Sequence, residues 1–216
     1  MKLTYLIILL SHLPIFITTG YAFFVFKTLT KELKVFSYYL FATGVFQMLA
    51  LILALNKVNN LPLVHLDTAL SFIFLAWFYT SVLEAFINKK IILITCIVFL
   101  IFIVLNSLFV QTLFTFNSYA LTLESIIVII LSLSTFMLLL NDIVKEKTKQ
   151  NIKSINWINS GLFIYFSSSL LIFYFGDFFT RNFPVQFNFY IWSLHSFFSV
   201  AMYTCFFIGL WKQSKS

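Results

Sequence analysis

The sequence predicts an all-α membrane protein, a single bundle of seven transmembrane helices formed by residues 1–216. Hydrophobic residues make up 61% of the chain and charged residues only 10%, whereas soluble domains carry about 25% charged residues. Apolar runs of about 20 residues recur, and each is long enough to cross the hydrocarbon core of a bilayer as a helix. The runs lack the alternation of period two that a membrane β-barrel requires.

Short polar links separate the predicted spans. Because lipid offers the backbone no hydrogen-bond partner, each span is predicted to be helical. The first span continues through GYAFFVF without a small-residue cleavage site, so we expect it to stay in the protein rather than be removed as a signal peptide. The link NKVNNLPLVHLD separates the second span from the third. The spans cover residues 3–26, 35–55, 63–87, 91–110, 119–140, 155–176 and 187–210.

The later spans are recognised in the same way. The fourth, IILITCIVFLIFIVL, is apolar on all faces, which predicts the most lipid-exposed helix of the bundle. The link after it, NSLFVQTLFTFNSY, is uncharged and aromatic, so we expect it to lie in the membrane interface. The segment NDIVKEKTKQNIKS separates the fifth and sixth spans, and GDFFTRNFPVQ separates the sixth and seventh.

The lysines predict the orientation of the bundle. Eleven of them lie in the links after spans one, three and five or in the C-terminal tail, against three cations at the N-terminus and in the other connections. The positive-inside rule therefore places the N-terminus outside and the C-terminus in the cytoplasm. Anionic lipid headgroups account for the net charge of +7, so the bilayer is an expected partner and nucleic acid is not. The larger set is Lys27, Lys31, Lys34, Lys89, Lys90, Lys145, Lys147, Lys149, Lys153, Lys212 and Lys215; the smaller is Lys2, Lys57 and Arg181.

Composition also suggests the source of the chain. Lysine outnumbers arginine 13 to 1, and Phe, Ile and Asn are abundant, which is typical of an AT-rich bacterial genome. The expected location is therefore the inner membrane of a bacterium. Cys96 and Cys205 lie within spans on no recognisable metal-binding spacing, so we expect them to be packing residues.

Ionisable side chains gather in the predicted outward-facing half of the bundle. A charge inside a span costs about 2.5 kcal/mol or more, so each such group needs a partner or a proton. We predict that these groups, with polar residues on one face of span seven, form a cavity that opens outward and binds a ligand or senses protons. The predicted lining is His12, Glu124, Asn188, Trp192, His195 and Ser199, and the predicted rim is His65, Asp67 and Asp177.

Structural roles remain open for several of these residues. Helix ends tolerate charge far better than the midplane does, so solvation at the interface is enough to explain the three rim residues. A hydrogen bond from His12 to a backbone carbonyl loosened by Pro14 is enough to explain that histidine. Gln47 is expected to form a helix-to-helix hydrogen bond.

The last span lacks the sequence features of two known kinds of seven-helix protein. Retinal proteins need a lysine near its middle, and residues 187–210 contain none, so no cofactor is expected. Zinc hydrolases of the ceramidase type carry two histidines four residues apart in this span, whereas Ile191 and Ser199 flank His195 here. A metal site therefore has no motif to support it.

The ending FYIWSLHSFFSV, followed by FFIGLWK, resembles the small bacterial seven-helix membrane modules that accompany histidine kinases as sensors. This resemblance covers the whole chain as architecture and implies ligand sensing or signal transmission. Such modules often continue into a cytoplasmic kinase, whereas this chain ends at Ser216. We therefore expect a sensor or accessory protein rather than an enzyme. It would bind a small ligand or lipid and signal through a separate cytoplasmic or membrane partner.

Two other functions stay open at this point. A small-solute or ion transporter needs a continuous polar path, whereas a sensor is expected to be closed in its inner half. A metal-dependent hydrolase needs its ligands to converge. The path would use Gln47, Glu84, Ser132, Ser134 and Thr135, and the metal ligands would be His12, Asp67, Glu124 and His195.

Overall fold

The computed structural model describes residues 2–140 and 152–214, with side-chain surroundings for residues 12–140 and 152–213. The described chain is helical, as predicted, and contains no strand. A single 3-10 turn, Phe26–Thr28, follows the first helix. The α-helices are α1 (Lys2–Val25), α2 (Lys31–Leu55), α3 (Leu61–Val82), α4 (Lys89–Phe109), α5 (Ser118–Leu140), α6 (Ile152–Tyr174), α7 (Gly176–Asn182) and α8 (Val185–Ser214).

Six of these helices, α2 to α6 and α8, are long and apolar enough to cross a membrane. Their lengths and composition are those of a multi-pass membrane protein. The predicted sixth span continued to residue 176, but α6 ends at Tyr174 and the short helix α7 follows. The predicted third span was also too long, because α3 ends at Val82 and the chain turns before α4.

Local sequence explains where several helices begin and how they tolerate polar residues. Pro62 occupies the first turn of α3, where its missing N–H costs nothing. The side chain of Asn88 accepts a hydrogen bond from the backbone N–H of Lys90 and caps α4. Within the helices, hydroxyls such as those of Ser37 and Thr135 donate to the carbonyl four residues earlier, so they need no solvent.

Six helices form a closed ring. Neighbouring helices pack in the order α1, α2, α3, α5, α6 and α8, and α8 returns to α1. Helix α4 lies outside this ring and packs against α3 and α5. A ring of six helices with one helix on its perimeter leaves an interior that the six helices share.

Two glycines let α6 and α8 approach closely. A Cβ added at Gly161 would lie 2.9 Å from the Cβ of Cys205 and 3.0 Å from the carbonyl oxygen of Met202. A Cβ added at Gly209 would lie 2.9 Å from the carbonyl oxygen of Ser154. Small residues at these two contacts therefore allow the tight packing on which helix association in lipid depends.

One end of the ring is filled by aromatic side chains. We call it the plugged end; α2 and α6 begin there, and α8 ends there. Phe36, Phe78 and Phe206 are fully buried, and the ring of Phe36 lies 5.3 Å from that of Phe78 and 4.8 Å from that of Phe206. We call these three residues the aromatic plug. The opposite end, where α3, α5 and α8 begin, is the cavity end.

The link between α4 and α5 combines exposed apolar side chains with buried amides, and its interfacial position stays a prediction. Gln111 and Asn117 are buried, and Asn106 at the end of α4 donates to the side-chain oxygens of both, at 3.3 and 3.1 Å. The oxygen of Gln111 also accepts from the backbone N–H of Tyr119 at 3.1 Å. This network satisfies the side-chain oxygens of Gln111 and Asn117 inside the protein, whereas the amide nitrogen of Asn117 has no partner among the described residues.

Candidate functional site

A cavity of about 330 Å³ occupies the ring interior at the cavity end. All six ring helices contribute to its wall, together with one residue of the α4–α5 link, and no residue of α4 does. Its lining residues are His12, Ile15, Tyr39, Thr43, Gln47, Val64, Asp67, Thr68, Ser71, Phe116, Leu121, Glu124, Tyr165, Phe166, Phe173, Trp192, His195, Ser196, Ser199, Met202 and Tyr203.

Two carboxyl groups line this cavity, one from α3 and one from α5. Glu124 is 3% exposed, and its Oε1 accepts a hydrogen bond from the hydroxyl of Ser71 at 3.2 Å. Asp67 lies one helical turn before Ser71 on α3 and lines the same cavity. Its Oδ1 is buried and has no hydrogen-bond partner among the described residues.

His195 stands among aromatic rings on the opposite side of the lining. Its Nε2 lies 2.9 Å from the hydroxyl of Tyr165, at hydrogen-bond distance. The centroid of its ring lies 5.4 Å from that of Tyr165, 5.2 Å from that of Phe173 and 5.7 Å from that of Trp192. The imidazole is therefore held in one orientation by a hydrogen bond and by rings from α6 and α8.

Tyrosines form the floor of the cavity and separate it from the aromatic plug. Tyr39 and Tyr203 line the cavity, and their ring centroids lie 6.4 and 5.5 Å from that of Phe206. Thr18 of α1 donates to the carbonyl oxygen of Tyr203 at 3.2 Å, which ties α1 to α8 at this level. The floor thus belongs to three helices and rests directly on the plug.

A second polar cluster lies beyond the floor, between α3, α5 and α6. The hydroxyl of Tyr79 lies 2.7 Å from that of Ser132 and donates to the Oδ1 of Asn159 at 3.1 Å. The amide nitrogen of Asn159 donates to the carbonyl oxygen of Ser132 at 3.0 Å. All three residues are fully buried, so the cluster is a satisfied network that joins three helices.

Two aromatic residues separate the cavity from a depression at the cavity end. This depression, which we call the vestibule, has a volume of about 560 Å³. Phe116 and Trp192 line both spaces, and their ring centroids lie 4.9 Å apart. A Cβ added at Gly176 would collide with the ring of Phe116, so the glycine is what allows that ring to occupy this position. The vestibule is lined by Asn60, Leu61, Phe114, Thr115, Phe116, Asp177, Thr180, Arg181 and Trp192.

The structure brings most of the predicted site residues together. Members of the predicted lining from α1, α5 and α8 share one cavity, and one predicted rim residue lies inside it rather than at its edge. The predicted lining residues found in the cavity are His12, Glu124, Trp192, His195 and Ser199, and the predicted rim residue found there is Asp67.

Three predicted site residues lie outside the cavity. His65 is 3% exposed, with its ring nitrogens 3.2 Å from the Ser107 hydroxyl and 3.1 Å from the carbonyl oxygen of Thr115, so it fixes α4 and the link to α3. Asp177 lines the vestibule and pairs with Arg181 at 2.9 Å.

Asn188 is the third of these residues. Its amide donates to the carbonyl oxygens of Phe179 at 3.1 Å and Phe183 at 2.9 Å. Helical spacing predicted that Asn188 shares a cavity-lining face with the later residues of α8. Asn188 instead lies in the first turn of α8, where the carbonyl groups at the end of α7 need a hydrogen-bond donor. The helix face that lines the cavity therefore starts one turn later, at Trp192.

Sequence reasoning missed the tyrosines and hydroxyls of the lining. Tyr39, Thr43 and Gln47 follow one another at intervals of four residues along α2, so they share one helix face. This periodic stripe is the signal that could have identified them. Tyr203 follows Ser199 by four residues, so it continues the predicted face of α8. For Tyr165 the residue type gives no clear signal, because tyrosine in an apolar span is also typical of the interface.

The residues predicted for a transport path do not all lie in the bundle interior, and within the described part of the chain those predicted for a metal site do not form a ligand group. Gln47 lines the cavity, and Ser132 and Thr135 are buried beyond it, but Ser134 is only partly buried and Glu84 is exposed. Within residues 12–140 and 152–213, no group of three or more His, Cys, Asp and Glu side chains is placed to hold a metal ion.

No family model, curated protein or solved structure matches this chain.

Proposed function

We propose that the protein is a seven-span sensor of a bacterial inner membrane, with its N-terminus outside and its C-terminus in the cytoplasm. Helix α1, with 24 residues, is the seventh span in this proposal, since it completes the ring between α2 and α8. The lysines at the plugged end support the orientation through the positive-inside rule. Those among the described residues are Lys27, Lys31, Lys34, Lys89, Lys90, Lys153 and Lys212; the predicted Lys145, Lys147, Lys149 and Lys215 lie outside the described residues.

The observation that carries this proposal is that one cavity takes its wall from six helices. A ligand of suitable size would contact all six at once, so its binding free energy would depend on how the helices are arranged. A ligand that binds one arrangement better than another shifts the population towards it. Occupancy of the cavity would thereby be converted into a change of packing at the plugged end.

The closed plugged end favours sensing over transport. The aromatic plug and the tyrosine floor lie between the cavity and the far side of the bundle. A signal, unlike a solute, does not need to pass through the plug. In this proposal a separate protein on the cytoplasmic side reads the rearrangement through the links that follow α1 and α3.

Tethering a group inside the cavity tests this coupling without knowledge of the ligand. Ser199→Cys, with Cys96 and Cys205 replaced by alanine, would be coupled to a benzyl methanethiosulfonate, and hydrogen exchange would be measured at residues 26–30 and 83–88. We expect amide protection there to change by at least about fivefold, the lower limit of an ordinary allosteric coupling. The matched control is Leu194→Cys, which lies on the same helix but is 48% exposed on its outer face.

Unchanged protection after tethering at residue 199 would mean that the cavity and the plugged end are not coupled, and the sensor proposal would then be wrong. A change of equal size after tethering at residue 194 would have the same meaning, because the effect would not depend on filling the cavity.

Transport is a second candidate, favoured by the buried network of Tyr79, Ser132 and Asn159 beyond the floor. These polar groups would continue a path inward if the plug opened. Uptake of a cavity ligand into sealed vesicles by the unmodified protein would favour this candidate, and binding without uptake would favour the sensor.

A further inference from the structure

The cavity contains two acidic groups for which the described residues supply no lysine or arginine. Asp67 and Glu124 both line it, and no lysine or arginine is found in the described part of its wall. Glu124 has the Ser71 hydroxyl as a partner, but the buried Oδ1 of Asp67 has none among the described residues. A buried carboxylate oxygen without a partner is costly, so the site is incomplete as it stands.

The rest of the wall has the surface that organic cations prefer. Tyr165, Phe173 and Trp192 lie on the side of His195, and Tyr39 and Tyr203 form the floor. Aromatic faces attract ammonium groups, most strongly where water is excluded. A cavity with acidic groups on one side and aromatic rings on the other suits a ligand that carries a positive charge on an organic body.

The histidines of the lining do not replace such a ligand. His195 directs its Nε2 to the hydroxyl of Tyr165 at 2.9 Å rather than to a carboxyl group. His12 lines the same cavity from α1 and has an interaction of its own. The Oδ1 of Asp67 nevertheless keeps no protein partner among the described residues.

We infer that the cavity binds a small organic ammonium ion, with its charged group at Asp67 and Glu124 and its organic body against the aromatic wall. This inference rests on the proposed function, since it names the class of ligand that the proposed sensor would detect. The cavity volume of about 330 Å³ limits the ligand to a small molecule.

Two pairs of probe molecules, each a cation and an uncharged analogue of similar shape, show whether binding depends on the positive charge. Choline would be compared with its uncharged isostere 3,3-dimethylbutanol, and benzylammonium with benzyl alcohol, by calorimetric titration of the intact protein in lipid nanodiscs. We expect at least one ammonium probe to bind saturably and at least about tenfold more tightly than its neutral partner. Asp67→Asn should weaken that binding by at least about tenfold, whereas Glu84→Gln, an exposed acidic residue near the plugged end, should leave it unchanged.

The outcomes that overturn the inference differ from those that overturn the proposed function. Equal binding of the alcohols and the ammonium ions would contradict a cation site while leaving a ligand-binding sensor in place, and so would binding that survives Asp67→Asn. Absence of binding by both ammonium probes would also overturn it. Because the comparison within the unmodified protein needs no variant, a folding defect in Asp67→Asn would not obscure the result. The tethered-ring experiment tests the sensor by itself, because its outcome does not depend on ligand charge.

Discussion

Phe206→Ala is expected to destabilise the protein by about 3 kcal/mol, at the lower end of the cost for a large aromatic in a core. The lower end applies because a helix already in lipid gains little from the hydrophobic effect when it packs, so the loss is mainly one of van der Waals contact. Phe206 is fully buried, and its ring lies 4.8 Å from that of Phe36 and 5.5 Å from that of Tyr203. Removing it would leave a void between the cavity floor and the plugged end.

The matched control for this change is Phe197→Ala on the same helix. Phe197 is 66% exposed and faces away from the ring, so we expect the free energy of unfolding to change by less than about 0.5 kcal/mol. Unfolding would be followed by circular dichroism during titration with a denaturing detergent. If the two alanine variants were equally stable, the aromatic plug would not be the packing centre that the account requires.

Phe116→Ala is expected to open the way from the vestibule to the cavity. Phe116 and Trp192 together line both spaces, and Trp192 is anchored in α8 whereas Phe116 belongs to a link. Removal of its ring should therefore increase the rate at which a thiol reagent reaches Ser199→Cys. We expect an increase of about tenfold or more, which corresponds to about 1.4 kcal/mol less in the barrier.

Phe114→Ala supplies the control for the same assay. Phe114 lies two residues away on the same link and is 68% exposed. It lines the vestibule but not the cavity. We expect its removal to leave the modification rate of Ser199→Cys unchanged within about twofold, since a side chain in the vestibule presents a small barrier. An equal increase in both variants would indicate general loosening of the link rather than removal of a gate.

The fold and the site differ in how far the sequence predicts them. Hydrophobic length alone predicts the helices, because lipid leaves the backbone no other hydrogen-bonded form. Glu124 and His195 were predictable for a related reason, since an ionisable group in an apolar span must turn inward. The aromatic plug was not predictable, because nothing distinguishes Phe36 or Phe206 among thirty phenylalanines until the packing is known.

The errors have local causes. The burial of Gln111 and Asn117 in the α4–α5 link was not predicted, because it depends on the network with Asn106. Asn188 was assigned to the cavity by helical phase, although contacts with α7 decide its position. The positions of such side chains depend on contacts in irregular links, and helical periodicity carries no information about these contacts.

Modification of Ser199→Cys by a membrane-impermeant methanethiosulfonate, in a background without Cys96 and Cys205, tests most directly whether the cavity opens to the outside. The reagent would be applied to intact cells and to inverted membrane vesicles, with Leu194→Cys as the lipid-facing control. The account predicts modification of residue 199 from the outside alone, faster than that of residue 194. Modification only from the cytoplasmic face, or no faster than at residue 194, would contradict it.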